Sequence, residues 1–150
     1  MRVLYDTNIL LQILRKEDSM ERLQARIGFQ YLEECISIVT VAEIRSLAVQ
    51  FGWGNPRLNK MTEVLADLLV IDINLPEILD RYIEIDCYSK RKHPTLVSDF
   101  SAIKMGKNDL WIAATASVYE CSLLTMDLDF QHLHNRFINV FYFENATFMS

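Results

Sequence analysis

Hydrophobic and polar positions follow two alternating rhythms along the chain. Short runs of strand formers appear at "RVLY" (2–5), "SIVT" (37–40), "LLVIDI" (68–73), "SLLTM" (122–126) and "NVFYF" (139–143). Between them apolar residues recur at helical steps. Met20, Leu23, Ile27 and Tyr31 make one stripe, and Ile78, Tyr82 and Ile85 another. Pro56 and Pro76 stand where helices can begin, because the first helical position tolerates a missing N–H. Strands separated by helices imply right-handed crossovers and a parallel sheet covered on both faces. The expected fold class is α/β, a three-layer α/β/α sandwich. No repeat, low-complexity tract or Pro/Gly-rich linker divides the 150 residues, so a single domain over 1–150 is expected.

Composition narrows the setting. A hydrophobic content of 51% and a mean hydropathy of +0.09 exclude a largely disordered chain. No apolar stretch reaches the roughly 18 residues of a membrane span. The apolar N-terminal run is interrupted by Asp6 and Asn8 and meets no small-residue cleavage site, so it does not read as a signal peptide. Cys35, Cys87 and Cys121 are odd in number and scattered, which suits reduced thiols in a cytoplasm rather than a zinc site or a disulfide framework. The net charge of −5 counts against a nucleic-acid partner unless cations are bound.

The sheet also fixes where chemistry can sit. Ligands of open α/β sheets bind outside the carboxyl ends of the strands, where helix N-termini point as well. Asp6 follows the first run, Glu43 the second in "SIVTVAEI", and Asp127 the fourth in "LLTMDLDF"; Asp109 opens the helix "NDLWIAATASVY". Each has a local explanation. Asp6 or Asn8 can cap a helix near Ile9, Thr40 to Glu43 fits a capping box, Asn108 or Asp109 can cap the next helix, and Asp127 and Asp129 suit a turn. Together they would converge on one crevice, and grouped carboxylates repel unless positive charge intervenes. Hard oxygen donors suit Mg²⁺ or Mn²⁺. No His, Cys or Lys occupies a strand end, which speaks against nucleophilic triads and phosphate loops. His93, His132 and His134 lack metal-ligand spacing with the acids and are expected at the surface.

"LYDTNILL", "TVAEI", "NDLWIAATA" and "LLTMDLDF", in this order, resemble the PIN-domain ribonucleases, and in particular the VapC-like toxins of bacterial and archaeal toxin–antitoxin pairs. The resemblance runs from residue 1 to about 143. It implies a five-stranded parallel sheet in the order 3-2-1-4-5 and an acidic pocket that holds Mg²⁺ or Mn²⁺ and cleaves single-stranded RNA. By position Asp6, Glu43, Asp109 and Asp127 become the catalytic and metal-binding set. Thr7, Asn8 and Thr125 fall where the family keeps polar residues that orient the acids, and Asp129 in an outer shell. A homodimer silenced by a cognate antitoxin is implied too. Many relatives carry a further acid two places before the third one, where this chain has Lys107.

Such a site would hydrolyse phosphodiesters with one metal or with two roughly 4 Å apart, Glu43 orienting or deprotonating the attacking water. Two divalent ions would bring the formal −5 to about −1 and turn the pocket attractive to phosphate. "SKRKH" at 89–93, Lys104 and Lys107 lead into Asp109 and are either a solvated helix end or a guide for RNA. Trp53, between two glycines, could stack on bases, whereas Trp111 reads as core. Two rivals remain. A receiver-like signalling domain needs paired acids after strand one, an acceptor Asp after strand three and a Lys after strand five. Here one acid follows strand one, "NVFYFENA" has no Lys, and Asp72 lies inside its strand. A non-catalytic PIN-like interaction module would carry four coincidental caps.

Overall fold

Alternation within the first strand decides the layers. In β1 (Arg2–Tyr5), Val3 and Tyr5 join one apolar cluster and Leu4 the other, all essentially without exposure. The same split recurs in β2 (Glu33–Ser37), where Cys35 shares the Leu4 face and Ile36 the opposite one, and in β4 (Ser122–Thr125), with Leu123 and Leu124. β3 (Leu69–Ile71) and β5 (Asn139–Tyr142) complete a sheet whose described pairings are all parallel, in the order β3-β2-β1-β4-β5. This is the computed structural model of the chain, and it describes residues 1–28 and 33–149.

Two helical layers cover the sheet. Helices α1 (Thr7–Arg15), α2 (Ser19–Ile27) and α3 (Ile38–Gln50) bury Ile9, Ile13, Leu23 and Val41 on the Val3 face. Helix α4 (Asn55–Ala66) adds Met61 to a satellite cluster with Leu10, Leu14, Ile44 and Ala48. Helices α5 (Pro76–Ser89) and α6 (Lys107–Val118) cover the Leu4 face through Ile78, Ile85, Leu110 and Ile112. Each fully buried Leu or Ile contributes roughly 1.5–3 kcal/mol. The expected sandwich and strand order are therefore present. The Met20–Leu23–Ile27 stripe lies on α2 as expected, with Tyr31 outside the described residues.

Four local expectations need correction. The second strand is "EECIS", not "SIVT": Ser37 is the N-cap of α3, accepting from the Val39 N–H at 3.1 Å, and Ile38 to Thr40 are already helical. Strand propensity of a β-branched run is weak against a cap at its start. Thr40 and Glu43 consequently form no capping box, and Glu43 lies in the second turn of α3. Helix α6 is capped at Gly106, so Asn108 and Asp109 occupy its first turn instead. Asp72 lies just beyond the short β3, not inside it, and its carboxylate accepts from the Asn74 N–H in a local turn. That does not revive a receiver domain, whose order 2-1-3-4-5 puts strand three inside the sheet; here β3 is an edge.

Candidate active site

The chain passes from β1 to α1 without a loop, and Asp6 is the joint. Its backbone N–H still donates to Leu124 O at 2.9 Å in the sheet, while its own carbonyl accepts from Leu10 N–H at 3.1 Å in the helix. Its side chain is both cap and buried acid. One oxygen accepts from the Thr7 N–H at 2.8 Å, the other from the Thr125 hydroxyl at 2.7 Å, and only 4% of the residue is exposed.

Threonine and asparagine side chains tie the neighbouring strand ends to this joint. Thr125, fully buried at the end of β4, has one hydroxyl proton and gives it to Asp6, so it accepts from the Asp127 N–H at 3.0 Å. Asp127 in turn caps the 3-10 helix Leu128–Leu133 by accepting from the Asp129 N–H at 2.8 Å. Asn8 Oδ1 accepts from the Met126 N–H at 3.1 Å, locking α1 to the β4 exit. Across the other strand, Thr7 donates to Glu43 Oε1 at 2.9 Å and lies 3.4 Å from the Thr40 hydroxyl.

Asp109 enters from α6 and is half-buried. Its carboxyl is pushed up to about 7, first by burial and then by the charges of Asp6, Asp127, Glu43 and Asp129. Burial likewise raises Asp6 to about 6, opposed by its bonds from Thr125 and Thr7 and assisted by the charges of Glu43 and Asp127. Acids from four separate segments therefore repel one another at one edge of the sheet. Relief requires protons or a cation, and carboxylate oxygens favour a hard divalent ion. Among the described residues no three His, Cys, Asp or Glu side chains already form a closed metal cage. The donor chemistry of Asp6, Glu43, Asp109 and Asp127 fits such an ion.

The histidines are not the surface residues expected. His93 Nδ1 accepts from the Thr95 and Leu96 N–H groups, and His134 Nδ1 accepts from Val140 N–H. His132 lies 2.7 Å from the buried Ser89 hydroxyl and between the rings of Tyr88 and Phe100. Burial depresses its pKa. Spacing to the acids gave no sign of these roles; the apolar neighbours Phe130 and Leu133 are the signal for partial burial. Trp111 packs on the core against Tyr82, as expected, while Trp53 lies on the α3–α4 cluster with Arg57 over its ring. A cavity of about 410 Å³ opens at the opposite edge, by the first residues of β4 and β5, away from the acids.

The profile of the PIN domain matches residues 3–135. No curated protein matches the chain. Three solved structures illustrate the likeness of fold. A chain of VapBC2 from Rickettsia felis, bound to a DNA fragment from its promoter, has a TM-score of 0.74 at 19% identity, covering 96% of this chain and all of that one. A toxin–antitoxin complex from Klebsiella pneumoniae gives 0.67 at 21%, with 95% and 98% covered. VapBC-5 from Mycobacterium tuberculosis, of the VapBC family of toxin–antitoxin systems, gives 0.60 at 18%, again with 95% and 98% covered.

Proposed function

The chain belongs to the PIN-domain family, and from that premise we propose that it is a Mg²⁺- or Mn²⁺-dependent ribonuclease that hydrolyses phosphodiester bonds of single-stranded RNA. The observation that carries the reading is the mutual repulsion of Asp6, Glu43, Asp109 and Asp127, gathered from α1, α3, α6 and the β4 exit. Asp6, Asp109 and Asp127 would hold the ion, with Glu43 either binding it or acting on water. The ion, when bound, supplies Lewis-acid activation of water and neutralises charge on the phosphate.

The chain's own residues do the rest. Thr125 fixes one oxygen of Asp6 and the Thr7 N–H the other. Asn8 holds the segment carrying Asp127 in register with α1. Thr7 donates to Glu43 and would steady that carboxylate for orienting or deprotonating the attacking water. Asp129, exposed and bonded through its N–H to Asp127, acts from an outer shell.

The toxin role, a cognate antitoxin, a homodimer and a cytoplasmic setting belong to the same proposal. They draw on the fold shared with chains from toxin–antitoxin complexes. The thiols of Cys35, Cys87 and Cys121 are free, and no described helix is long and apolar enough to cross a membrane. The test is cleavage of an unstructured RNA oligonucleotide. Activity should require Mg²⁺ or Mn²⁺, stop with chelator, and fall at least about 100-fold in Asp6→Asn, since losing even an outer-shell partner typically costs about 10–100-fold. Equal cleavage by wild type and Asp6→Asn would refute the assignment.

A further inference from the structure

The segment joining α5 to α6, residues 89–107, carries Lys90, Arg91, Lys92, Lys104 and Lys107 against a single acid, Asp99. It is a basic stretch in a chain whose formal charge is −5. All five cations are exposed. Among the described residues Lys90 alone of the five forms an ion pair, to Asp86 on the preceding turn of α5, at 3.0 Å. The segment ends in the first turn of α6, which holds Asp109.

This basic run is pinned to a rigid frame. Ile103 N–H donates to Ser89 O at 2.9 Å, bringing Lys104 beside the Lys90–Lys92 turn. Ser98 donates to Tyr88 O at 2.9 Å, and Phe100 packs edge-on against Tyr88. His132, on the 3-10 helix that Asp127 caps, closes the frame through Ser89 at 2.7 Å and through the Phe100 ring. The cations are thus coupled mechanically to two of the segments that supply the acids.

Two of these cations carry a local cost, Arg91 in its backbone conformation and Lys107 in its charge. Arg91 occupies the left-handed position (φ 62°) that ends α5, with its N–H on Tyr88 O and the Lys92 N–H on Cys87 O. Glycine is the favoured residue there, as Gly52 is at the end of α3, although Glu120 fills the like position after α6. Lys107 is the first residue of α6, the positive end of its dipole. A solvated helix end explains Lys90, and the α5 dipole also favours the charge of Arg91, but Lys107 is explained by neither.

We propose that residues 89–107 form the rail along which the phosphate backbone of single-stranded RNA is led to Asp109. This deepens the ribonuclease reading and rests on it for the identity of the RNA. An anionic strand offers repeated charge that complements the four cations, which form no ion pair among the described residues, and the segment runs directly into the turn of α6 that holds Asp109.

The test separates binding from cleavage. Anisotropy of a labelled, unstructured RNA is measured in chelator against salt concentration for wild type and for the combined variant Arg91→Gln, Lys92→Gln, Lys104→Gln, Lys107→Gln. The variant should bind at least about tenfold more weakly at low salt. Its salt slope should be shallower by roughly 3, about 0.7 for each lost phosphate contact. Retention of Mn²⁺-induced thermal stabilisation certifies its fold. Arg91→Gly alone should raise the melting temperature and lower RNA affinity, opposite movements that a purely structural arginine would not give. Unchanged affinity and slope in the combined variant, or no RNA binding by wild type, overturns the rail. Displacement of RNA by a poly-glutamate peptide of equal charge at equal concentration would overturn it in favour of an acidic protein partner. RNA that binds through these cations but is not cut leaves the rail standing and removes only the nuclease reading.

Discussion

Thr125 is the smallest unit on which the site depends. Its hydroxyl gives its single proton to Asp6 and receives the N–H of Asp127, so one oxygen sets two acids at once. Thr125→Val keeps the shape and strands both partners in a fully buried position. It should cost about 1–3 kcal/mol, read as a drop in the urea midpoint, and Thr125→Ser should recover most of it. Asp109 makes the opposite trade. With Asp6 at about 6 and Asp109 at about 7, against about 3.9 unfolded, the metal-free folded state holds protons that the unfolded chain releases. The stability of these protonated forms is complete below about pH 4 and lost as pH rises through about 6 and 7. In chelator these two acids should therefore make the protein melt at a lower temperature at pH 8 than at pH 5. Asp109→Asn should raise the pH 8 melting point by a few degrees, an effect that partial exposure and solvent screening hold to about 1 kcal/mol. A variant that lowers it would contradict the crowding of charges.

At the scale of elements, most of the architecture was legible because periodicity reports burial. The β1, β4 and β5 runs, the α5 stripe and Pro76 at the start of α5 fell where expected. β2 did not, since its opening acids are satisfied by distant residues. Glu33 pairs with Arg2 at 3.2 Å, and Glu34 accepts from the buried Tyr5 hydroxyl at 2.5 Å. Two acids beside a β-branched run read locally as a strand that starts later, and only the tertiary partners reverse this. Asp6 and Asp127 were legible for a different reason, whereas Glu43 and Asp109 are carried on helices α3 and α6 and their place in the set rests on the family resemblance. Parallel topology makes strand exits converge, so a position in sequence becomes a position in space. The roles of Thr7 and Asn8 were foreseen only in kind, and their partners Glu43 and Met126 appear only with the fold. Ser37 offers the test at this scale. Ser37→Ala removes the α3 cap and should destabilise by about 1 kcal/mol, shown by thermal melting. It should also loosen Glu43, lowering cleavage more than metal affinity.

Across the whole molecule, one consequence of sheet order governs the chemistry. With β1 between β2 and β4, the joint at Asp6 lies between the α3 segment bearing Glu43 and the β4 exit bearing Asp127, and α6 adds Asp109. The fold spends stability on that meeting, and on the proposed reading a bound divalent ion would return it. Isothermal titration with Mn²⁺ at pH 7.5, wild type against Asp109→Asn, tests this most directly. The account predicts a measurable heat of binding in the wild type and an affinity at least about tenfold weaker in the variant. Identical isotherms for the two proteins, or no binding by the wild type, would contradict it.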